Sequence, residues 1–72
     1  MAVIFFVTKN GLPVQGASVY YRKESGVDGN WKTDANGFAE FAIPPGQTKC
    51  IRINGIDQDH RYLRKGVNEF KI

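Results

Sequence analysis

Apolar and polar positions alternate along this chain in short runs, and almost every run is closed by Gly, Pro, Asn or Asp. That punctuation is the sequence signature of strands joined by tight turns. Residues 3–8 read as a first strand, apolar on both parities, which predicts burial on both faces or a sticky edge. Lys9-Asn10-Gly11 ends it, and Pro13 sets an extended loop. Residues 17–23 form the second strand, with Ala17, Val19 and Tyr21 facing the core and Ser18, Tyr20 and Arg22 facing outward. A polar loop over 24–30 leads to a short third strand at 31–33. Asp34-Ala35-Asn36-Gly37 then turns the chain, with Asn36-Gly37 expected to supply the positive φ angles of a hairpin.

The fourth strand, 38–43, turns Ala39, Phe41 and Ile43 to the core, and Pro44-Pro45-Gly46 stops further pairing. A fifth strand over 48–54 points Ile51 and Ile53 inward and Cys50 and Arg52 outward. Residues 55–61 read as a charged loop, 62–63 as a brief strand and 67–72 as the last strand. No 3.6-residue period survives over ten residues, so no helix is expected. The pattern predicts one all-β domain over 1–72, a small antiparallel β-sandwich.

Size sharpens this picture. A chain of 72 residues buries only about 60% of its unfolded surface, so a partner or a self-associating edge would help it. An apolar fraction of 42%, with nine aromatics, still suffices for a compact core and excludes disorder. The apolar stretch at 2–7 is too short for a signal-peptide core or a membrane span. The expected compartment is therefore the cytoplasm, unless the domain is excised from a larger secreted protein.

The net charge of +3 is unevenly placed. Residues 1–48 balance four basic against four acidic side chains. Residues 49–72 set Lys49, Arg52, Arg61, Arg64, Lys65 and Lys71 against Asp57, Asp59 and Glu69, so the whole excess lies in the last third. Such asymmetry fits either an anionic partner or a solvated face, and the solvated face is the commoner cause.

Catalytic chemistry finds little to work with. One His and one Cys cannot build a zinc site. Asp28, Asn30, Asp34 and Asn36 lack the run and the distal Glu of a calcium loop, and read as turn formers. Cys50 reads as a small apolar residue, and His60 as a solvated loop residue. No phosphate loop or dinucleotide fingerprint is present. The expectation is a non-enzyme with no cofactor and no metal.

Three motifs carry a resemblance. Gly11-Leu12-Pro13-Val14-Gln15-Gly16-Ala17-Ser18-Val19, then Thr33-Asp34-Ala35-Asn36-Gly37, then Ile43-Pro44-Pro45-Gly46 together resemble the carboxypeptidase regulatory-like family. Those domains are prealbumin-like, seven-stranded β-sandwiches, and related bacterial immunoglobulin-like repeats share the motifs. The resemblance spans about half the chain. It implies an immunoglobulin- or prealbumin-like sandwich serving as an adhesive, spacing or accessory module. Transthyretin-related hydroxyisourate hydrolases share the architecture but use several His and Arg residues and end Tyr-Arg-Gly-Ser, whereas this chain has one His and ends Glu-Phe-Lys-Ile.

The chain departs from the family after Pro-Pro-Gly. The family's alternation starts two positions on, at Thr48 here, yet the apolar set falls at Ile51 and Ile53. A one-residue slip reverses the buried face, so a bulge or changed register is expected there.

The expected function is structural, or the binding of another protein or a second copy, through strand edges and outward aromatics. Tyr20, Arg22, Trp31 and Phe38 are the candidate partner-binding residues, because Tyr, Trp and Arg dominate binding hot spots. The edge of the first strand, 3–7, is a second candidate. The alternative is a small basic nucleic-acid-binding β protein using Arg61, Tyr62, Arg64 and Lys65 to follow phosphates and stack bases. Three or four cations would give only weak, salt-sensitive contact.

Overall fold

A computed structural model describes residues 2–72. Nine strand segments are present among them and no helix: β1 Val3–Lys9, β2 Leu12–Pro13, β3 Ser18–Lys23, β4 Asp28–Lys32, β5 Phe38–Phe41, β6 Gly46–Ile53, β7 Ile56–Gln58, β8 Tyr62–Leu63 and β9 Gly66–Lys71. They form two sheets that pack face to face over one apolar core. All seven expected strands have a counterpart, and β2 and β7 are additional.

In the first sheet β1 is central. It pairs with β5 and β2 along one side and with β9 along the other. The β1–β9 pair is parallel, Val3 facing Gly66 and Thr8 facing Lys71, so this sheet is mixed rather than purely antiparallel. The first strand is therefore no sticky edge. Its two-sided apolar character reflects a central position, with Val3, Phe5 and Val7 buried and Ile4 and Phe6 half-buried on the outer face.

The second sheet runs β4-β3-β6-β7, with β8 beside the start of β6. Ala17, Val19, Tyr21, Ile51 and Ile53 point into the core, as their parity requires. Phe5 sits at the centre: its ring lies 4.9 Å from Phe70, 5.4 Å from Phe41 and 5.9 Å from Tyr21. Aromatic groups from both sheets thus meet at one point, at separations that favour aromatic pairing. Ala39 is buried, whereas Phe41 and Ile43 pack against the cluster half-exposed.

The expected slip in β6 is present. The pairing with β3 shifts register between Arg22 and Lys23, opposite Thr48 and Cys50. Thr48 and Ile51 are consequently both buried although three positions apart. Thr48 Oγ1 donates to the Arg61 carbonyl at 2.7 Å and accepts from the Arg61 amide at 3.0 Å, so its buried hydroxyl is satisfied.

Turn chemistry explains the remaining differences. Asn10-Gly11 and Asn54-Gly55 both have positive φ at each residue and make the two-residue hairpin turns β1–β2 and β6–β7. At 34–37 only Gly37 is left-handed. There the Asp34 carboxylate accepts from the amides of Asn36 and Phe38 and builds the turn itself. Gly37 has a second constraint, since a Cβ there would lie 2.8 Å from the Val7 carbonyl oxygen. The expected strand over 38–43 is shorter: β5 ends at Phe41, where the Ile43 amide bonds back to the Phe41 carbonyl, three residues before Pro44, and Gly46 already belongs to β6 and pairs with Leu63.

Candidate binding edge

The third expected strand moves toward the N-terminus. β4 spans Asp28–Lys32 and forms a hairpin with β3, closed by the Lys23 amide donating to Val27 and the Gly26 amide donating to Lys23. Thr33, expected inside the strand, instead turns its hydroxyl inward, accepting from the Ala17 amide and donating to the Val14 carbonyl. Gly29 is tolerated in this strand because the ring of Tyr21 covers it; a Cβ there would lie 2.9 Å from the Tyr21 ring and hydroxyl.

Antiparallel pairs alternate between hydrogen-bonded and non-bonded types. The Lys23–Val27 and Thr33–Ala17 bonds fix that alternation here. Gly29 and Trp31 therefore turn their backbone groups toward β3, and Asp28, Asn30 and Lys32 turn theirs outward. No strand pairs with that side of β4 among the described residues. None of the three side chains has a hydrogen-bonded or ionic partner among the described residues. Beside them, Ser18, Asn30, Trp31 and Lys32 line a shallow hollow of about 330 Å³.

Trp31 stands opposite Val19, on the core-facing side of β4, yet is 67% exposed. β4 thus reaches beyond the cover of the opposite sheet. An exposed indole beside unpaired main-chain donors and acceptors is the arrangement that takes up an extended segment as an added strand.

The four candidate residues do not form one surface. Tyr20 and Arg22 lie on the outer face of the second sheet, opposite Arg52 and Cys50. Trp31 projects from the other side of β4. Phe38 belongs to the other sheet, where it packs on Phe6 with ring centroids 4.9 Å apart. The feature missed in the sequence is Asp28 and Lys32 as edge residues; the strand was hidden by Gly26 and Gly29, which read as loop.

The basic candidates fall around β8 and the turn into β9. The Arg61 guanidinium lies 4.1 Å above the Phe70 ring and donates to the Glu69 carbonyl at 3.0 Å. Tyr62 is 55% exposed, and Arg64 and Lys65 are exposed. Asn68 holds their turn: its Oδ1 accepts from the Arg64 amide, and its Nδ2 donates to the carbonyls of Ile4, Arg64 and Gly66. Cys50 is half-buried opposite Arg22, and His60 is exposed in the loop after β7. Among the described residues no three His, Cys, Asp or Glu side chains converge. No helix there is long and apolar enough to cross a membrane.

Comparison of this chain with family models, with curated proteins and with solved structures found no match.

Proposed function

We propose that this chain is a non-catalytic structural or protein–protein interaction module that takes its partner along the β4 edge, with Trp31 as the anchor. One observation carries this reading. Among the described residues, β4 leaves the main-chain groups of Asp28, Asn30 and Lys32 unpaired beside an indole that is 67% exposed. Main-chain bonds would give affinity, and burial of the indole would add to it. The sandwich is read as immunoglobulin- or prealbumin-like, after the Gly-Leu-Pro-Val, Asp-Ala-Asn-Gly and Pro-Pro-Gly motifs, in keeping with a module without chemistry of its own.

A second reading has its own observation. Tyr62, exposed beside Arg64 and Lys65, is a small stacking and phosphate-contact surface. It ranks lower because the neighbouring Arg61 guanidinium is occupied by Phe70 and Glu69.

Affinity capture of tagged protein from source lysate, washed at low and then high salt with a nuclease-treated parallel, separates the two. The expected result is a protein retained at high salt by the wild type and lost by Trp31→Ala. Capture that disappears with salt or nuclease, and with Arg64→Ala rather than Trp31→Ala, would replace the first reading by the second.

A further inference from the structure

β4 reads Asp28-Gly29-Asn30-Trp31-Lys32, with two charges of opposite sign placed symmetrically about Asn30. We propose that the partner of this edge is a second copy of the same chain, paired antiparallel about a two-fold axis at Asn30. This rests on the reading of β4 as the binding edge and names what occupies it.

Three independent features select the same register. The first is hydrogen-bond parity. The outward backbone groups belong to Asp28, Asn30 and Lys32, and two antiparallel strands bond only where outward groups meet. Centring on Asn30 sets Asp28 of one copy against Lys32 of the other, Asn30 against Asn30, and Lys32 against Asp28. All three outward positions are then used on both strands. Centring on Gly29 or Trp31 keeps the parity but leaves one position of each strand unpaired.

Charge is the second feature. In the Asn30 register each Asp28 carboxylate faces the other copy's Lys32 ammonium, and both pairs are repeated by the symmetry. Directly opposed unlike charges stabilise a strand pair, and like charges destabilise it. Charged residues at an edge usually repel other strands; here the order of signs makes the edge complementary to itself. Neither side chain has another ionic partner among the described residues, where the only ion pair is Arg52–Asp57.

The third feature is shape. On the core-facing side, the same register sets Trp31 of each copy beside Gly29 of the other, in the closer, non-hydrogen-bonded type of pair. Gly29 has no side chain to obstruct the indole, and the Tyr21 ring already lies over it. Each exposed indole thereby gains an aromatic neighbour and loses its contact with water. The result is an isologous dimer with one sheet running β7-β6-β3-β4 through one copy and β4-β3-β6-β7 through the other.

The test is oligomeric state by analytical ultracentrifugation across a dilution series, with the emission of Trp31, the single tryptophan, recorded in parallel. Wild type is expected to dimerise with a blue shift of emission as concentration rises. Asp28→Lys and Lys32→Asp each replace both ion pairs by like-charge pairs, and each is expected to weaken dimerisation by about tenfold or more. The double variant Asp28→Lys/Lys32→Asp restores opposite charges and is expected to dimerise again. An equimolar mixture of the two single variants should form a heterodimer that neither forms alone. Asn30→Pro, which removes an outward N–H at an edge that tolerates proline, should stay folded by circular dichroism and be monomeric.

A wild type that is monomeric at high micromolar concentration overturns the proposal. So does a dimer that is indifferent to both charge reversals, or a double variant no better than the singles. A monomer that still captures a Trp31-dependent protein overturns only the identity of the occupant. A dimer insensitive to Asn30→Pro and Trp31→Ala removes β4 from binding altogether.

Discussion

The two longest open edges of the molecule are treated in opposite ways. β9 turns the backbone groups of Val67, Glu69 and Lys71 away from β1, as shown by the Gly66 and Ile72 amides bonding back to Ala2 and Thr8. The Arg61 guanidinium takes the middle carbonyl of that row and lies flat on Phe70. The opening of the strand is held by the four hydrogen bonds of Asn68. β4 has none of these devices. Among the described residues its outward main-chain groups have no partner, its tryptophan is exposed and its two charges are of opposite sign. An uncovered edge is an aggregation hazard that proteins ordinarily blunt. A chain that blunts β9 and leaves β4 open has separated the edge it protects from the edge it offers.

The largest effect on this contrast should come from the brace of β9. Asn68 is 6% exposed and serves one amide and three carbonyls. Asn68→Ala removes all four of these bonds from a buried position and is expected to cost about 3 kcal/mol. That is a large share of a stability near 0.1 kcal/mol per residue. A urea midpoint unchanged from wild type would show that the brace is dispensable.

Arg61→Ala attacks the shield rather than the brace. Losing the cation–π contact and one charge-assisted bond should cost about 1–2 kcal/mol. It also opens a second edge on the other sheet. Light scattering should then reveal species larger than the wild-type assembly, because a molecule with two adhesive edges no longer closes. Variant samples that lose stability but gain no large species would show that the β9 edge is unreactive without its arginine.

How much of this was legible in the sequence depends on the distance over which each signal acts. Alternation alone placed Val19, Tyr21, Ile51 and Ile53 in the core, because strand parity is local. The register shift near Thr48 was legible too, since the alternation of the resembled family starts at Thr48 whereas the apolar set falls at Ile51 and Ile53. The turns were harder. Three Asn-Gly pairs occur, and the one singled out, Asn36-Gly37, is not the two-residue hairpin. Asn10-Gly11 and Asn54-Gly55 are. The difference lies in Asp34, whose carboxylate takes two amides and dictates a longer turn. Ile56, following Asn54-Gly55, carried the signal for β7. What no local pattern could give is that β1 and β9, from opposite ends of the chain, lie parallel. That pairing, added to β5 on the other side, makes β1 central, whereas β4 ends the second sheet because β3 takes β6 on its far side.

The smallest expected effect probes the contact between β4 and its neighbour. Burial, and then the negative charge of Asp28, push the Tyr21 phenol above its ordinary value of 10.0. In the unfolded chain this phenol ionises from about pH 10, whereas the folded protein keeps its proton to higher pH. Above about pH 10 the unfolded state therefore binds fewer protons than the folded state, and stability falls as pH rises. Below that range both states are protonated and Tyr21 contributes no slope. The Tyr21 hydroxyl has no protein hydrogen bond among the described residues, so Tyr21→Phe should change neutral-pH stability by only about 0.5 kcal/mol or less. Urea midpoints measured from neutral to strongly alkaline pH should fall less steeply in Tyr21→Phe than in wild type. The substitution removes this phenol and no other ionisable group, so the difference in slope reports Tyr21. Equal slopes would mean that the phenol ionises without disturbing β3 and β4. In that case the ring that covers Gly29 is held by its contacts with Phe5 and Phe41 and not by keeping its proton.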